Sequence, residues 1–279
     1  MLSLKSVELY PGIHSSVLGF GCAPILGAVG ATEARRAIEI AMNHGVNHFD
    51  LARSYGYGDA ERLVGRVLAK KRHSVRIATK FGIRANWKAK ILRPIKPIVR
   101  RFKQRHANFD RPTVQPTFRY AADRFHDRVP IDAKHLESSL NESLRALRTD
   151  FVDFLFIHEP AAFVEQWEDV FSAAARLKKV GKIRCFGLAT PNPYSGMHES
   201  YLDQFDVLQF AKPSTLSDYS QLIDERGSQN NVIFSPLRNR GDTSAINELS
   251  RIRNDFQKSV ILCTMFNPNH IEANIRALE

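Results

Sequence analysis

Residues 47–65 read Asn-His-Phe-Asp-Leu-Ala-Arg-Ser-Tyr-Gly-Tyr-Gly-Asp-Ala-Glu-Arg-Leu-Val-Gly, and this stretch decides how the rest of the chain is interpreted. A short apolar run ends abruptly at Asp50, and Tyr55 follows five residues later in a loop that contains glycine. A helix is predicted to begin near Asp59. A carboxylate at the end of a strand, with a phenol in the next loop, is an unusual arrangement unless the two groups act together. The stretch therefore predicts a strand, a functional loop and a helix.

The same arrangement recurs at two further strands. Residues 75–80 are strand-like and end in Lys80, and residues 152–158 are strand-like and end in His158. Active sites of parallel α/β proteins lie at the carboxyl ends of the strands. We therefore expect these two groups to face the same opening as Asp50.

The composition is that of a folded chain. Of its 279 residues 43% are hydrophobic, which argues against disorder and suffices for one large α/β barrel or two modest domains. No apolar run approaches the roughly 20 residues that span a bilayer, and the N-terminus lacks the apolar region of a signal peptide. The cysteines lie far apart and show neither a disulfide framework nor metal-binding spacing: Cys22, Cys185 and Cys263. We expect a reducing, cytoplasmic setting and no metal site.

The net charge of +11 is concentrated in one segment. Residues 84–128 contain thirteen Lys and Arg against three Asp, so the remainder of the chain is nearly neutral. A basic total is typical of nucleic-acid-binding proteins. Because the charge belongs to this segment and not to the body of the chain, we expect no nucleic-acid partner.

Eight strand-like runs alternate with eight helical patterns. The strand-like runs are residues 17–21, 46–50, 75–80, 152–158, 183–188, 207–211, 232–235 and 260–263. This alternation favours a (β/α)8 TIM barrel over an open doubly wound sheet, and a G-x-G-x-x-G dinucleotide fingerprint is missing. We predict a single domain over residues 1–279, with an N-terminal β-hairpin and a long basic insertion, 84–130, after the third strand. Thr32 and Asp132 are predicted to cap the first and third helices.

The four polar groups suggest a reaction when they are taken together. A phenol has an ordinary pKa of about 10, and a nearby ammonium favours the phenolate and so lowers that value. Asp50 would keep Lys80 charged and in place, and His158 could hydrogen-bond a substrate oxygen. A tuned proton donor beside such a group suits carbonyl reduction or alcohol oxidation. Each residue alone also has a purely structural explanation, so the inference depends on their joint occurrence.

Several motifs together resemble the aldo-keto reductase superfamily. They are Asp50-Leu-Ala-Arg-Ser-Tyr55-Gly, the pair Thr79-Lys80, residues 147–158 ending in His158, and Gly181-Lys-Ile-Arg-Cys-Phe-Gly187. The resemblance covers nearly the whole chain outside the insertion. It implies a (β/α)8 barrel that binds NADP(H), or sometimes NAD(H), across its mouth. It also implies that Tyr55 is the general acid/base, that Lys80 paired with Asp50 modulates its pKa, and that His158 orients the substrate carbonyl.

The resemblance also implies a set of cofactor contacts. These are Gly21, Cys22, Asp50, Thr190, Gln209, Phe234, Ser235, Leu237, His270 and Asn274. Two departures from the family pattern concern these contacts. Ala189-Thr190 stands where the family usually has Ser-Asn, and Thr264-Met265 where Lys-Ser often holds the 2′-phosphate. NADP remains the expected cofactor, with NAD possible, and Arg238 or Arg240 is the candidate replacement for the missing charge.

The basic insertion leaves three uses open. It can cover the substrate pocket, dock on an anionic membrane or an acidic partner, or be a solvated excursion. Docking is not favoured, and so much positive charge would also suit an anionic carbonyl or alcohol substrate. The alternative to an enzyme is a catalytically weak NADP(H)-binding barrel that serves as a regulatory or docking subunit. A metal-dependent hydrolase lacks a plausible ligand cluster.

Overall fold

A computed structural model describes residues 4–92, 124–194, 196–239 and 241–279. The middle of the basic insertion, with its four prolines, and the candidate cofactor residue Arg240 lie outside these described residues. None of the helices that are described is long and apolar enough to cross a membrane.

The described residues contain twelve β-strands and nine α-helices. The strands are β1 (Ser6–Tyr10), β2 (Ile13–Ser16), β3 (Leu18–Gly21), β4 (His48–Asp50), β5 (Arg76–Phe81), β6 (Ile83–Ala85), β7 (His126–Arg128), β8 (Val152–His158), β9 (Ile183–Thr190), β10 (Val207–Ala211), β11 (Asn231–Phe234) and β12 (Val260–Cys263). The helices are α1 (Ala31–Asn43), α2 (Ala60–Leu68), α3 (Trp87–Leu92), α4 (Ala133–Leu147), α5 (Trp167–Lys179), α6 (Glu199–Leu202), α7 (Leu216–Arg226), α8 (Ala245–Asp255) and α9 (Pro268–Ala277).

Eight of the described strands form a closed parallel barrel, so the predicted fold class is confirmed. The strand order is β3, β4, β5, β8, β9, β10, β11, β12 and back to β3, where Ile261 pairs with Leu18. Asp50 is the last residue of β4 and His158 the last of β8, while Lys80 is the second-to-last residue of β5. All three therefore lie at the carboxyl ends of barrel strands, the edge at which barrel active sites are built.

The helices cover the barrel with the faces that their spacing predicts. In α1 the buried positions follow a spacing of three and four residues: Ala34, Ala37, Ile38 and Ala41. Asp132 caps α4 as predicted, because its side chain accepts a hydrogen bond from the His135 amide. The prediction that Thr32 caps α1 is wrong. The helix already begins at Ala31, so Gly30 occupies the capping position and Thr32 lies inside the first turn.

The two ends of the basic insertion are joined at the barrel mouth. Strands β6 and β7 pair antiparallel, with Ile83 opposite Arg128, and the Val129 amide donates to the Gly82 carbonyl at 2.9 Å. The predicted N-terminal hairpin is also present, as the antiparallel pair of β1 and β2. The insertion therefore leaves and returns beside the strand that carries Lys80.

Candidate active site

Lys80 lies at the centre of a polar cluster inside the barrel mouth. Its Nζ donates to both carboxylate oxygens of Asp50, at 2.7 and 2.6 Å, and to the Leu51 carbonyl oxygen at 2.8 Å. The same Nζ lies 3.3 Å from the Tyr55 hydroxyl. Lys80 and Asp50 are both almost fully buried. Three oxygen atoms therefore hold the Lys80 ammonium in place, and the ammonium also contacts the Tyr55 hydroxyl.

The loop that presents Tyr55 depends on a glycine. Gly56 has φ +59°, and a Cβ there would lie 2.7 Å from the Ile25 carbonyl oxygen. A residue with a side chain would meet both backbone strain and a backbone clash. The insertion also contacts this loop, because the His126 Nε2 lies 3.2 Å from the Ser54 carbonyl oxygen. Glycine at this position lets the loop pass close to the Ile25 backbone, and so fixes where Tyr55 enters the mouth.

His158 completes the group of four. Its ring lies nearly perpendicular to that of Tyr55, with 6.1 Å between the ring centroids. The ring is buried, and its Nδ1 has no hydrogen-bond partner among the described residues. Buried polar atoms are nearly always hydrogen-bonded, so an unpaired one beside a cleft indicates a place for a ligand or water. The structure therefore brings together the four side chains that the sequence singled out.

The electrostatics differ in one respect from the expectation that Lys80 lowers the pKa of Tyr55. Burial raises the pKa of the Tyr55 phenol to about 12, and the opposing effect of the Lys80 ammonium is smaller. Burial lowers the pKa of Lys80, but Asp50 and Tyr55 outweigh this effect, so the pKa is raised overall. Burial, followed by the charges of Lys80 and Arg128, holds the pKa of His158 well below its ordinary value. At neutral pH the phenol is protonated, the ammonium is charged and the imidazole is neutral.

A cleft of about 960 Å³ opens over these four groups, and most of the predicted cofactor residues line it. Those lining it are Gly21, Asp50, Gln209, Phe234, Ser235, Leu237, His270 and Asn274. Cys22 and Thr190 are not among the lining residues. Cys22 is fully buried, with its Sγ 3.7 Å from the Phe20 carbonyl oxygen, and the Thr190 hydroxyl donates to the Asn192 carbonyl oxygen at 3.3 Å. Arg238, one of the two candidates for the missing charge, also lines the cleft.

Gln209 offers an unsatisfied acceptor at the base of this cleft. Its Nε2 donates to Asp50 Oδ1 at 3.0 Å, which fixes the orientation of the amide. Its Oε1 is buried and has no partner among the described residues. A carboxamide supplies the N–H that such an oxygen requires. The residues present therefore fit a nicotinamide, with the half-buried ring of Phe234 also lining the cleft.

Two residues that support one wall of the cleft were not predicted from the sequence. The buried Lys212 donates to the Arg238 carbonyl oxygen at 3.1 Å and pairs with the buried Glu248 at 2.6 Å. This contact holds the loop of residues 235–239, where Ser235 and Asn239 both have positive φ. Lys212 directly follows β10, so the strand-end signal that identified Lys80 could have found it. Glu248 is a helix residue whose importance only the tertiary structure reveals.

Known proteins resemble this chain in sequence and in fold. The model of the "Aldo/keto reductase family" matches residues 17–200. The uncharacterized oxidoreductase YcsN of Bacillus subtilis is 30% identical over 171 residues, which are 60% of this chain and 46% of that protein. The chain spans about half the length of the curated relatives it matches.

Two solved structures share the fold. The holo form of an aldo-keto reductase from Bacillus halodurans has a TM-score of 0.70 at 20% identity, covering 100% of this chain and 91% of that chain. An aldo-keto reductase from Klebsiella pneumoniae in complex with NADPH has a TM-score of 0.63 at 16% identity, covering 99% and 89%.

Proposed function

Because the chain belongs to the aldo/keto reductase family, we propose that it is a nicotinamide-dependent oxidoreductase that interconverts an aldehyde or ketone and the corresponding alcohol. The observation that carries the proposal is the position of Lys80 Nζ, which contacts both the Asp50 carboxylate and the Tyr55 hydroxyl. We also propose that residues 1–279 form one domain with an insertion at 84–130. The pairing of β12 with β3, which joins the two ends of the chain in one barrel, supports this view.

Tyr55 is suited to donate a proton in the reductive direction. Its raised pKa keeps the phenol protonated at neutral pH, so the proton is available when a carbonyl oxygen becomes an alkoxide. The phenolate that remains would lie 3.3 Å from a fixed ammonium, which stabilises the new negative charge. Asp50 keeps Lys80 charged throughout. In the reverse direction the phenolate accepts the proton of the alcohol.

His158 is suited to bind the substrate oxygen without taking the proton. A neutral imidazole carries one N–H donor, and the depressed pKa of His158 keeps it neutral. The charge of Lys80 close by disfavours a second cation at this place. The imidazole therefore orients the carbonyl while Tyr55 exchanges the proton.

The cofactor would supply the hydride, and residues of this chain would bind and orient the cofactor. Gln209 Oε1 would accept from the carboxamide, Phe234 would contact the ring, and the loop of residues 235–239 would hold the phosphates. We propose NADP as the cofactor, with NAD possible. Arg238 and His270 line the cleft and could bind a 2′-phosphate.

The test is consumption of NADPH or NADH, followed by absorbance, with a panel of aldehydes and ketones. Tyr55→Phe removes the transferable proton but keeps the ring, so we expect kcat to fall by at least about 100-fold. Tyr57→Phe, in the same loop, is the matched control and should retain activity. Turnover by Tyr55→Phe at the wild-type rate would rule out the assigned role.

One observation favours the alternative of a catalytically weak, cofactor-binding subunit. The Thr190 hydroxyl is engaged with the Asn192 carbonyl oxygen, and Ala189 offers no polar side chain to a carboxamide. Saturable binding of NADPH by the wild-type protein, with no turnover across the whole panel, would favour this function over the enzyme.

A further inference from the structure

A second cleft lies on the outside of the barrel, where α2 meets α4. Its volume is about 520 Å³. Seven described residues line it, and four of them are arginines: Arg53, Arg62, Arg145 and Arg148, with Gly58, Glu142 and Ala146. None of these seven lines the cleft over the barrel mouth. We call it the arginine cleft.

Arg53 is fixed in place at the inner end of this cleft. It forms ion pairs with Glu61 and with Glu142, the second at 2.5 Å, and its side chain is only 15% exposed. Glu61 is buried and accepts a further hydrogen bond from the Thr79 hydroxyl at 2.7 Å. Thr79 precedes Lys80 on β5, so the arginine cleft is connected to the strand that carries the active-site lysine. A guanidinium held in this way loses little conformational entropy when it binds a ligand.

The other three arginines are exposed and lack an ion-pair partner among the described residues: Arg62, Arg145 and Arg148. Arg53 already pairs with Glu61 and Glu142, whereas no ion pair within the described part of the chain offsets the charges of the other three. The carboxyl end of α4 contributes a partial negative charge of roughly half a unit, which is too small to cancel them. The cleft therefore favours a ligand with at least two negative charges.

An adjoining cleft of about 270 Å³ adds an aromatic surface. It shares Arg53, Gly58 and Glu142 with the arginine cleft and is also lined by Arg84, Asp127 and Trp87. The Lys88 ammonium lies 5.7 Å from the centroid of the Trp87 ring. The Trp87 side chain is 64% exposed, although large aromatic residues are usually buried. An indole beside a cluster of guanidinium groups can stack on a planar ring whose phosphates the arginines hold.

We propose that the arginine cleft binds a phosphate-bearing small molecule. Its phosphate oxygens contact Arg62, Arg145 and Arg148, and a ring attached to the phosphate, where there is one, lies against Trp87. Guanidinium groups present paired N–H donors that match phosphate oxygens, and a phosphate group supplies the two charges that a single carboxylate lacks. The site is separate from the proposed oxidoreductase site, because no described residue lines both clefts.

The test is a calorimetric titration of the full chain with pyrophosphate at low ionic strength, for the wild type and for Arg238→Gln in the cleft over the barrel mouth. We expect saturable binding that persists in Arg238→Gln and weakens as salt is added. Arg62→Gln and Arg145→Gln should each reduce the affinity by about tenfold, the effect of losing one charge-assisted contact. Arg66→Gln removes an exposed arginine of α2 that lies outside the cleft, and should bind like the wild type. Circular dichroism of each variant confirms folding.

Other ligands identify the source of the phosphate. If ADP binds more tightly than pyrophosphate and quenches the fluorescence of Trp87, the ligand carries an aromatic ring. Trp87→Phe should then lose the signal, because the other tryptophan, Trp167, stacks on Tyr201 in a different part of the fold. Equal affinity for both compounds supports the phosphate site without the ring. The proposal is overturned if no saturable binding occurs, or if Arg238→Gln abolishes binding while Arg62→Gln does not. Sedimentation with phosphatidylglycerol vesicles in the absence of pyrophosphate binding would also overturn it, in favour of a membrane surface.

Discussion

At the scale of single residues, the site depends on a buried ion pair whose members cannot be separated without cost. Asp50 and Lys80 are each less than 5% exposed, and each satisfies most of the other's hydrogen-bonding capacity. Taking one partner away leaves the other charged inside the protein, which is far more costly than replacing both. Gln209 donates a hydrogen bond to the same carboxylate, so the proposed cofactor contact of Gln209 depends on this pair as well.

Lys80→Met tests this dependence. We expect the free energy of unfolding to fall by about 3–5 kcal/mol, because the Asp50 carboxylate stays buried without its cation. The double variant Asp50→Asn, Lys80→Met removes both charges and should be more stable than Lys80→Met alone. Urea denaturation of the two variants and the wild type provides the comparison. A double variant less stable than Lys80→Met would mean that the buried charge is not the cause.

At the scale of elements, α2 and α4 pack against each other with close backbone contact. The helices come so close at Gly65 that a Cβ there would lie 2.6 Å from the Leu147 Cα. Glycine ordinarily weakens a helix relative to alanine by about 1 kcal/mol. Its presence in the middle of α2 is therefore explained by the crossing and not by helix propensity.

Replacing glycine by alanine inside a helix usually stabilises a protein, but we expect Gly65→Ala to destabilise this one. We expect a loss of about 1–3 kcal/mol in the free energy of unfolding, because the backbone of α4 must move to admit the methyl group. Arg66→Ala, at the next and exposed position, is the matched control and should be nearly neutral. Equal or greater stability of Gly65→Ala in urea would show that the two helices can separate freely.

At the scale of the whole molecule, buried histidines link folding to pH. His48 on β4 is fully buried, and its Nδ1 lies 3.1 Å from the Ser15 hydroxyl. Burial lowers its pKa to about 3, and the positive charges of Lys80 and Arg76 act in the same direction against the opposing effect of Asp153. In the unfolded chain a histidine has a pKa of about 6.5. The unfolded state therefore takes up the proton first as the pH falls.

The stability contributed by a neutral His48 is present above about pH 6.5 and is lost as the pH falls towards 3. Between pH 6.5 and pH 5 we expect this group to cost about 2 kcal/mol, at 1.36 kcal/mol per pH unit. His48→Gln should lower stability at pH 7 but flatten its dependence on pH. Urea denaturation across this range measures both effects, with the exposed His14→Gln as the control for loss of an imidazole. Parallel pH profiles for His48→Gln and the wild type would contradict the assignment.

The sequence by itself determined the alternation of strands and helices, and with it the barrel. It also determined that Asp50, Lys80 and His158 come to one mouth. Both follow from local patterns, because side-chain periodicity is set within each element and parallel strands share their carboxyl edge. The cap at Asp132 could also be predicted, because a cap depends on residues within one turn, although the same signal failed at Thr32.

Only the tertiary structure decided the features that depend on the complete environment of a side chain, including its burial and the charges around it. The pKa of Tyr55 rises because burial outweighs one ammonium, a balance that no motif records. Thr190 does not line the cleft, and its hydroxyl donates to the Asn192 carbonyl oxygen of its own loop. The arginine cleft joins residues more than 90 positions apart in the sequence, Arg53 and Arg148, so spacing along the chain could not reveal it. Strands, helices and caps depend on residues that are neighbours in the sequence. Charge balance and cavities depend on contacts between residues that are distant in the sequence.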